Sequence, residues 1–356
     1  MAAVLDVRSS WRDRASIVTA GIRLGAGVLA YVVTGKTPAF AYLSMIRLFT
    51  LTSGRSNDML AWLIGRFRRP YPIGHLGGVL GIERRADLER VVAQIKERGY
   101  YVFDQQLPQD TCDRLTRFAL NQPCRPRAAD NAAPAPAKPP AVYPRATPEA
   151  IIYDFAPHDL INDPTVQNLM ADTSINALAE AYLGAKPVLD TVNLWWTTAF
   201  SQQPDRNAAQ LYHFDMDHVR WLKFFVYLTD VTADTGPHCF VAGSHRSGGI
   251  PQNFLSKGYA RLTDAEVSAN FSPNALIEFV CGRGTIIAED TRGLHKGKPV
   301  LKGDRLMFEF EFSNSLFGAM LPGRGELAIL HQAAFATFVG RHRRIFKRWI
   351  GASTPR

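Results

Sequence analysis

The chain has 356 residues, enough for one large domain or two ordinary ones, and its formal net charge is +9. Its composition, 46% hydrophobic and 21% charged, is that of a globular protein and excludes disordered and fibrous classes. The positive charge lies at the ends, with +7 in residues 1–80 and +6 in 337–356 against −4 in 81–336, so we expect no nucleic-acid partner for the central body.

Residues 1–83 form an apolar and basic N-terminal extension, which we predict to be helical. No run of about 18 uninterrupted apolar residues occurs, and arginines and Lys36 interrupt the apolar runs, so we expect no transmembrane helix here. The favoured interpretation is a set of helices packed on the main domain. The alternative is peripheral contact of the basic flanks with anionic lipid headgroups.

The next elements follow from hydrophobic periodicity. Apolar residues at helical spacing predict a helix over 84–98, Gly99 ends it, and 100–103 is predicted to be a strand. A second helix is predicted from about Asp110. Residues 121–147 are rich in Pro and Ala, which excludes a regular helix or a central strand, and we expect a mobile insertion there rather than a lid over a site.

The second half of the chain is predicted to be mainly β. A helix over 164–183 is followed by strands at 188–200, 211–215, 222–230, 238–242, 276–281, 284–288 and 305–312. Many short strands behind a helical preface predict a small antiparallel barrel or a two-sheet jelly roll, an α+β fold that is mainly β with flanking helices. A basic helix over 338–350 is predicted in the C-terminal tail, 316–356.

The stretch from Tyr212 to His218 holds the most informative motif, His213-Phe-Asp215. On a strand, His213 and Asp215 project from the same face, and His295 on a later strand supplies a third candidate ligand. Two histidines and one carboxylate on one face of an octahedral metal leave three open positions, as in non-haem Fe(II) oxygenases. Asp217 is an alternative ligand that the spacing disfavours.

Arg305 follows His295 by ten residues and begins an apolar strand. If residues 302–304 form part of a return turn, this strand runs antiparallel to the strand that carries His295. A guanidinium facing inward there would bind the distal carboxylate of a dicarboxylate co-substrate in bidentate fashion.

These motifs together resemble the phytanoyl-CoA dioxygenase family. The resemblance rests on the HxD motif, on Asp234-Thr-Gly-Pro-His, on Val241-Ala-Gly-Ser-His, on the distal His295 and on Arg305, and it covers roughly 84–315. It implies an oxygenase domain over 84–315 with a double-stranded β-helix (cupin-like jelly roll) core. It also implies iron(II), 2-oxoglutarate and O2 as cofactor and co-substrates.

The resemblance further implies that His213, Asp215 and His295 bind the iron and that Arg305 anchors 2-oxoglutarate. Relatives that halogenate lack the carboxylate, so Asp215 favours hydroxylation. Lys223 and Phe225 share a strand face and are candidates for the wall beside 2-oxoglutarate; the alternative for Lys223 is a strand-end side chain that reaches solvent. Trp195 and Tyr212 are candidates for contact with the substrate; the alternative for both is packing in the core. His245 is expected to be structural, and His218 and His238 to lie on the surface or behind the ligands.

The predicted function is hydroxylation of an unidentified small molecule, expected to be hydrophobic, with release of succinate and CO2. The alternatives are a cupin-like metalloprotein with non-oxygenase chemistry and a membrane-surface binding module. Four widely spaced cysteines without a CxxC motif, and an N-terminus without a signal-peptide pattern, predict a cytoplasmic protein, in peripheral contact with a membrane in the last alternative. The sequence does not indicate an oligomeric state.

Overall fold

A computed structural model describes residues 11–70, 73–130, 138–257, 261–319, 325–351 and 354, and the side chains from residue 15 onward. The helices are α1 (Trp11–Thr34), α2 (Ala39–Leu51), α3 (Arg55–Phe67), α4 (Arg85–Arg98), α5 (Gln109–Asn121), α6 (Pro157–Ile161), α7 (Pro164–Met170), α8 (Thr173–Leu183), α9 (Gln252–Leu255), α10 (Asp264–Ser268) and α11 (Ala333–Arg341). The strands are β1 (Tyr100–Val102), β2 (Cys124–Pro126), β3 (Ile152–Phe155), β4 (Val188–Thr198), β5 (Trp221–Tyr227), β6 (His238–Val241), β7 (Leu276–Glu278), β8 (Ile286–Glu289), β9 (His295–Gly297) and β10 (Asp304–Ser313).

The strands form two antiparallel sheets that face each other across the site. The larger sheet has the order β1-β8-β5-β10-β4-β3-β2, and the smaller has the order β7-β6-β9. Isolated bridges, such as Tyr212 with Leu262 and Val231 with Cys281, extend the pairing beyond the regular strands. This is the jelly-roll architecture expected from the series of short strands.

Strand β10 lies in the middle of the large sheet and separates the main core from the cavity. It pairs with β4 on one side and β5 on the other. Alternate residues project to opposite faces, so Phe308, Phe310 and Phe312 enter the main core, which α4, α5, α7 and α8 cover. Arg305 and Glu309 of the opposite face line a cavity. The expectation that this strand runs beside the one carrying His295 is wrong, because β9 pairs with β6 in the small sheet.

Local signals explain where the helices end. Gly99 and Gly184 adopt φ values of 94° and 60° after α4 and α8, a left-handed conformation that favours glycine. The helix predicted over 164–183 is two helices, because the Asp172 side chain accepts a hydrogen bond from the Ile175 N–H and caps α8. Residues 211–215 form isolated bridges rather than a continuous strand.

Helices α1, α2 and α3 pack together and against the barrel, as the favoured interpretation predicted. Their shared apolar contacts centre on Leu24, Met45 and Ala61, with Val219 and Phe317 contributed by the barrel. However, residues 15–34 of α1 are long and apolar enough to cross a membrane by length and composition, and 22% of the most apolar 18-residue window is buried. A buried core helix or a signal sequence passes the same test, so the expectation that this region holds no transmembrane helix stays a prediction.

The predicted insertion agrees with the exclusion of a central strand, whereas the C-terminal segment differs from expectation. In the predicted insertion, β2 forms an edge of the large sheet beside β3, where proline is tolerated, whereas 131–137 lies outside the described residues. The C-terminal helix ends at Arg341 instead of running from 338 to 350. Residues 342–349 form turns whose apolar side chains enter the core, and the Leu189 N–H donates to the Ile345 carbonyl at 2.8 Å.

Candidate active site

Backbone pairing brings the three predicted metal ligands together. The N–H of His213 donates to the carbonyl of His295 at 3.0 Å, and the N–H of His295 donates back at 2.8 Å. Two residues further along the chain, the Asp215 N–H donates to the Thr291 carbonyl at 2.8 Å. One nitrogen of each imidazole and one carboxylate oxygen lie within 4.8 Å of one another, so the structure brings the triad into one cluster.

Hydrogen bonds also fix which nitrogen of each histidine faces Asp215. The Nδ1–H of His213 donates to the Leu211 carbonyl at 2.9 Å, and that of His295 donates to the Gly293 carbonyl at 3.0 Å. Burial lowers the pKa of both imidazoles, so they are neutral at pH 7. The Nε2 lone pairs are therefore available, 3.8 and 3.6 Å from the Asp215 oxygens.

Lys223 contacts the carboxylate of the triad directly. Its Nζ lies 2.9 Å from Asp215 Oδ2. Although burial opposes the charged form of Asp215, Lys223 outweighs it and keeps the pKa of this carboxyl well below its usual value. Lys223 was expected beside 2-oxoglutarate; it lines the cavity, but its ammonium is directed at Asp215.

Arg305 lies in the same cavity as the triad and is 4% exposed. Its Nη2 donates to Thr197 Oγ1 at 3.3 Å, while Nε and Nη1 are buried without a hydrogen-bond partner. The guanidinium lies beside Gly297, where an added Cβ would lie 3.3 Å from Nη2. A buried cation with two unsatisfied donors is the complement of a carboxylate ligand.

The cavity has a volume of about 400 Å³, and not all of the residues predicted for its wall line it. Trp195 and Phe225 line it, and the Phe225 ring centroid is 4.8 Å from that of His238. Tyr212 does not line it. Its side chain projects to the face opposite His213, packs with Phe214, and lies under Lys296 Nζ at 4.9 Å from the ring centroid.

Sequence reasoning missed Glu289, which pairs with His238 behind the triad. His238 lines the cavity and its Nε2 lies 3.0 Å from both Glu289 oxygens. Burial lowers the pKa of His238 to about 3 and raises that of Glu289 to about 8. His238 is 6% exposed, so of its two expected positions, the surface or behind the ligands, the structure gives the second. The Gly-Pro-His sequence is the signal that could have placed it on the cavity wall.

A network of buried charges extends from Lys223 to the C-terminal segment. Glu311 is the cross-strand neighbour of Lys223, with Oε2 at 3.3 Å from Nζ. His218 donates to Asp190, which also accepts from Arg348 Nη1 at 2.6 Å. The period of two along β10 could have revealed Glu309 and Glu311 on the cavity side, because both alternate with core phenylalanines.

Asp190, His218 and Glu311 form a second cluster whose ligand-type atoms lie within 4.8 Å of one another. Two cations, Arg348 and Lys223, already contact its carboxylates. These contacts make the cluster a salt-bridge network rather than a site for an added cation. His218, expected at the surface or behind the ligands, is 1% exposed.

Two remaining expectations concern Asp217 and His245. Asp217 lies 3.8 Å from Lys223 Nζ and is not part of the triad cluster. His245 is buried, and its Nε2–H donates to the Lys96 carbonyl at 3.1 Å, a contact between the barrel and α4. That contact fits a structural role.

The described residues fit a metal ion and a dicarboxylate in one cavity. Two neutral imidazoles and one carboxylate converge, which is a donor set suited to iron(II). The unpaired Arg305 donors face the same space and offer a bidentate site for an anion.

Comparison with known protein families identifies the family of this chain. The sequence profile of the phytanoyl-CoA dioxygenase family matches residues 95–299, more than half of the chain, and includes the triad. Comparison with curated protein sequences gives no match. Among solved structures, similarity extends to EctD from S. alaskensis with bound Fe (20% identity, 72% of this chain and 88% of that chain, TM-score 0.45).

Two further solved structures are similar at lower identity. HygX from Streptomyces hygroscopicus, with nickel and 2-oxoglutarate bound, has 14% identity, 71% and 94% coverage of the two chains and a TM-score of 0.45. The non-heme alpha ketoglutarate dependent epimerase SnoN from nogalamycin biosynthesis has 17% identity, 65% and 84% coverage and a TM-score of 0.44. Because the family profile covers more than half of the chain, the chain belongs to the phytanoyl-CoA dioxygenase family and is a non-haem iron oxygenase that uses iron(II), 2-oxoglutarate and O2.

Proposed function

We propose that this enzyme hydroxylates a small, partly polar molecule. In this proposal His213, Asp215 and His295 bind iron(II), and Arg305 binds the distal carboxylate of 2-oxoglutarate. The observation that carries it is the buried guanidinium of Arg305, which has two unpaired donors in the cavity that the triad also lines. Asp215 supports hydroxylation rather than halogenation, because it fills the position that a chloride would take.

Each residue has a task that its contacts support. The Nδ1–H bonds of His213 and His295 hold the rings so that Nε2 can donate to the metal. Lys223 orients Asp215 through the oxygen that it contacts at 2.9 Å. Bound iron(II), 2-oxoglutarate and O2 supply the oxidising chemistry, in which 2-oxoglutarate is converted to succinate and CO2.

The cavity wall supports a substrate with polar groups more than the purely hydrophobic one expected from the apolar N-terminal extension. Glu309 and Asn193 line the wall together with Trp195 and Met307. The Arg127–Asp154 ion pair, with contacts of 2.9 and 2.6 Å, also lines it. A donor group of the substrate would face Glu309, and its carbon skeleton would contact Trp195.

The test is anaerobic reconstitution with iron(II) and 2-oxoglutarate, followed by the weak visible charge-transfer band. We expect the band in the wild type and in Asp217→Asn, which changes a carboxylate outside the triad. We expect His213→Ala and Asp215→Ala to lose it and Arg305→Met to need far more 2-oxoglutarate. A band that survives both triad substitutions would refute the ligand assignment.

We also propose a cytoplasmic location. All four cysteines are free thiols, three of them buried, as is usual in a reducing compartment. The measurement is thiol titration after denaturation of protein taken directly from cells. Four titratable thiols per chain are expected, and pairs lost to disulfides would contradict the proposed compartment.

A further inference from the structure

Exposed apolar side chains are concentrated on the N-terminal helices. Of seventeen large apolar side chains exposed in the described part of the chain, eleven lie between residues 18 and 67. Val33 and Phe67 are 86% and 87% exposed, and Trp62 is 64% exposed. The others are Val18, Ile22, Leu29, Val32, Phe40, Leu43, Met59 and Leu63. Such a concentration marks an interaction surface rather than ordinary solvent exposure.

Charges on these helices are mostly positive. Residues 15–70 contain seven Lys/Arg and one acidic residue, Asp58. Asp58 contacts Arg220 Nη2 at 2.5 Å and Arg292 Nη1 at 3.2 Å, so its charge is compensated by the barrel. Arg23, Lys36, Arg47, Arg55, Arg66 and Arg69 are exposed. The surface therefore attracts anions beside its apolar side chains.

A groove between α1, α2 and α9 combines both properties. It has a volume of about 1080 Å³, and Arg23 and Arg47 line it together with Phe40, Leu43 and Leu255. The Arg23 guanidinium lies 5.8 Å from the centroid of the Phe40 ring. Arginines at the border of an apolar groove suit the phosphate and the acyl chain of a phospholipid.

Helix α1 is held along α2 rather than projecting from the protein. Leu24 and Tyr31 on its buried face join the contacts with α2, and at Gly27 an added Cβ would lie 2.1 Å from the Ala41 Cβ. The Tyr31 ring packs edge-on against Phe317 of the barrel at 5.5 Å. To cross a bilayer, α1 would have to break these contacts and bury Arg23, so a position parallel to the membrane surface costs less.

We propose that α1, α2 and α3 form a docking surface for an anionic phospholipid bilayer. In the bound state the exposed apolar side chains enter the boundary between headgroups and acyl chains, and the arginines contact lipid phosphates. This proposal goes beyond the oxygenase reaction and does not depend on the iron site.

The test is co-sedimentation of the full chain with vesicles of phosphatidylcholine alone or with phosphatidylglycerol. We expect binding at least tenfold stronger to the anionic vesicles. The triple variant Val33→Ser, Trp62→Ser and Phe67→Ser should lower it at least tenfold. All three side chains are largely exposed, so the fold and the charge-transfer band should be unchanged. Arg23→Gln with Arg47→Gln should weaken mainly the preference for anionic lipid.

A matched control changes three exposed apolar residues elsewhere: Phe200→Ser, Val280→Ser and Leu301→Ser, which are 53%, 53% and 48% exposed. It should bind vesicles like the wild type. Equal loss of binding in both triple variants, or no binding by the wild type, would overturn the proposal.

Two further measurements decide between occupants of the surface. A wild-type dimer that becomes monomeric in the Val33, Trp62 and Phe67 variant, without vesicle binding, would show that a second copy covers the surface. Retention on vesicles after alkaline carbonate extraction would show that α1 spans the bilayer. Either result overturns peripheral docking.

Discussion

Replacing Arg305 with methionine should make the protein without 2-oxoglutarate more stable, although it should destroy co-substrate binding. In the wild type, burial lowers the pKa of the guanidinium, and two of its donors have no partner. A buried hydrogen-bond donor without a partner costs about 1–3 kcal/mol. Water in the cavity reduces that cost, so we take the lower end, about 2 kcal/mol for the two donors together.

The magnitude translates into a measurable melting shift. With an unfolding entropy of about 2.1 cal/mol/K per residue, a chain of 356 residues gains about 3 °C in Tm from 2 kcal/mol. With anaerobic iron(II), 2-oxoglutarate at 100 times its Kd should stabilise the wild type by about 2.7 kcal/mol, or about 4 °C. The variant should show no such shift, because loss of a buried charge partner costs about 2–5 kcal/mol of binding.

Scanning calorimetry of the wild type and the variant, each with and without 2-oxoglutarate, measures all four states. Arg305→Lys is the control: it keeps a buried cation but loses the planar donor pair, so it should bind weakly without gaining stability. The reasoning fails if Arg305→Met melts below the wild type in the absence of ligand and still shows the full shift with 2-oxoglutarate.

Three further predictions concern pH, substrate binding and specificity of the site. Burial opposes the charged form of His218, but the Asp190 carboxylate outweighs burial and raises the pKa of His218 to about 9. Protonated His218 therefore stabilises the fold fully below about pH 6.5, and this stabilisation is lost as pH rises through about 9. The difference in free energy of unfolding between the wild type and His218→Gln, measured with urea, should fall by up to about 3 kcal/mol between pH 6.5 and 9. A difference that does not change with pH would contradict this. Trp195→Ala should raise the substrate KM about tenfold, measured by substrate-dependent succinate release, for a loss of roughly 1–2 kcal/mol of apolar contact; an unchanged KM would remove Trp195 from the substrate wall. Tyr212→Phe should change the same rate by less than about twofold, under about 0.5 kcal/mol, because the ring lies outside the cavity; a large loss would return Tyr212 to the site.

Local patterns predicted much of the fold and two members of the triad. The period of Leu88, Val91, Val92 and Ile95 predicted a helix that the structure has, because one buried face is enough to specify it. The HxD spacing puts two side chains on one face whichever strand pairs beside it. The spacing could therefore place His213 and Asp215 together without the topology, whereas His295 joined them through the resemblance to the family.

The expectations that were wrong depend on long-range pairing or on packing. The alternation of apolar and polar residues along β10 shows which side chains share a face, but it does not show which strands pair with β10. The sequence therefore did not reveal that β9 pairs with β6 in the other sheet. The apolar residues Ile345, Phe346 and Trp349 were interpreted as a helix face. Their side chains are buried, but the residues lie in a series of turns. The spacing of apolar residues alone does not distinguish such turns from a helix.

The fastening of α3 to the barrel has a practical consequence for producing this protein. Asn57 Nδ2 donates to the Val219 carbonyl at 3.2 Å, and Asp58 binds Arg220 and Arg292. A shortened chain that lacks the N-terminal helices would leave that carbonyl and two guanidinium groups without these partners and would uncover the apolar residues beneath. Polar substitutions on the outer faces of the helices are therefore the better route to a concentrated, non-aggregating sample than truncation.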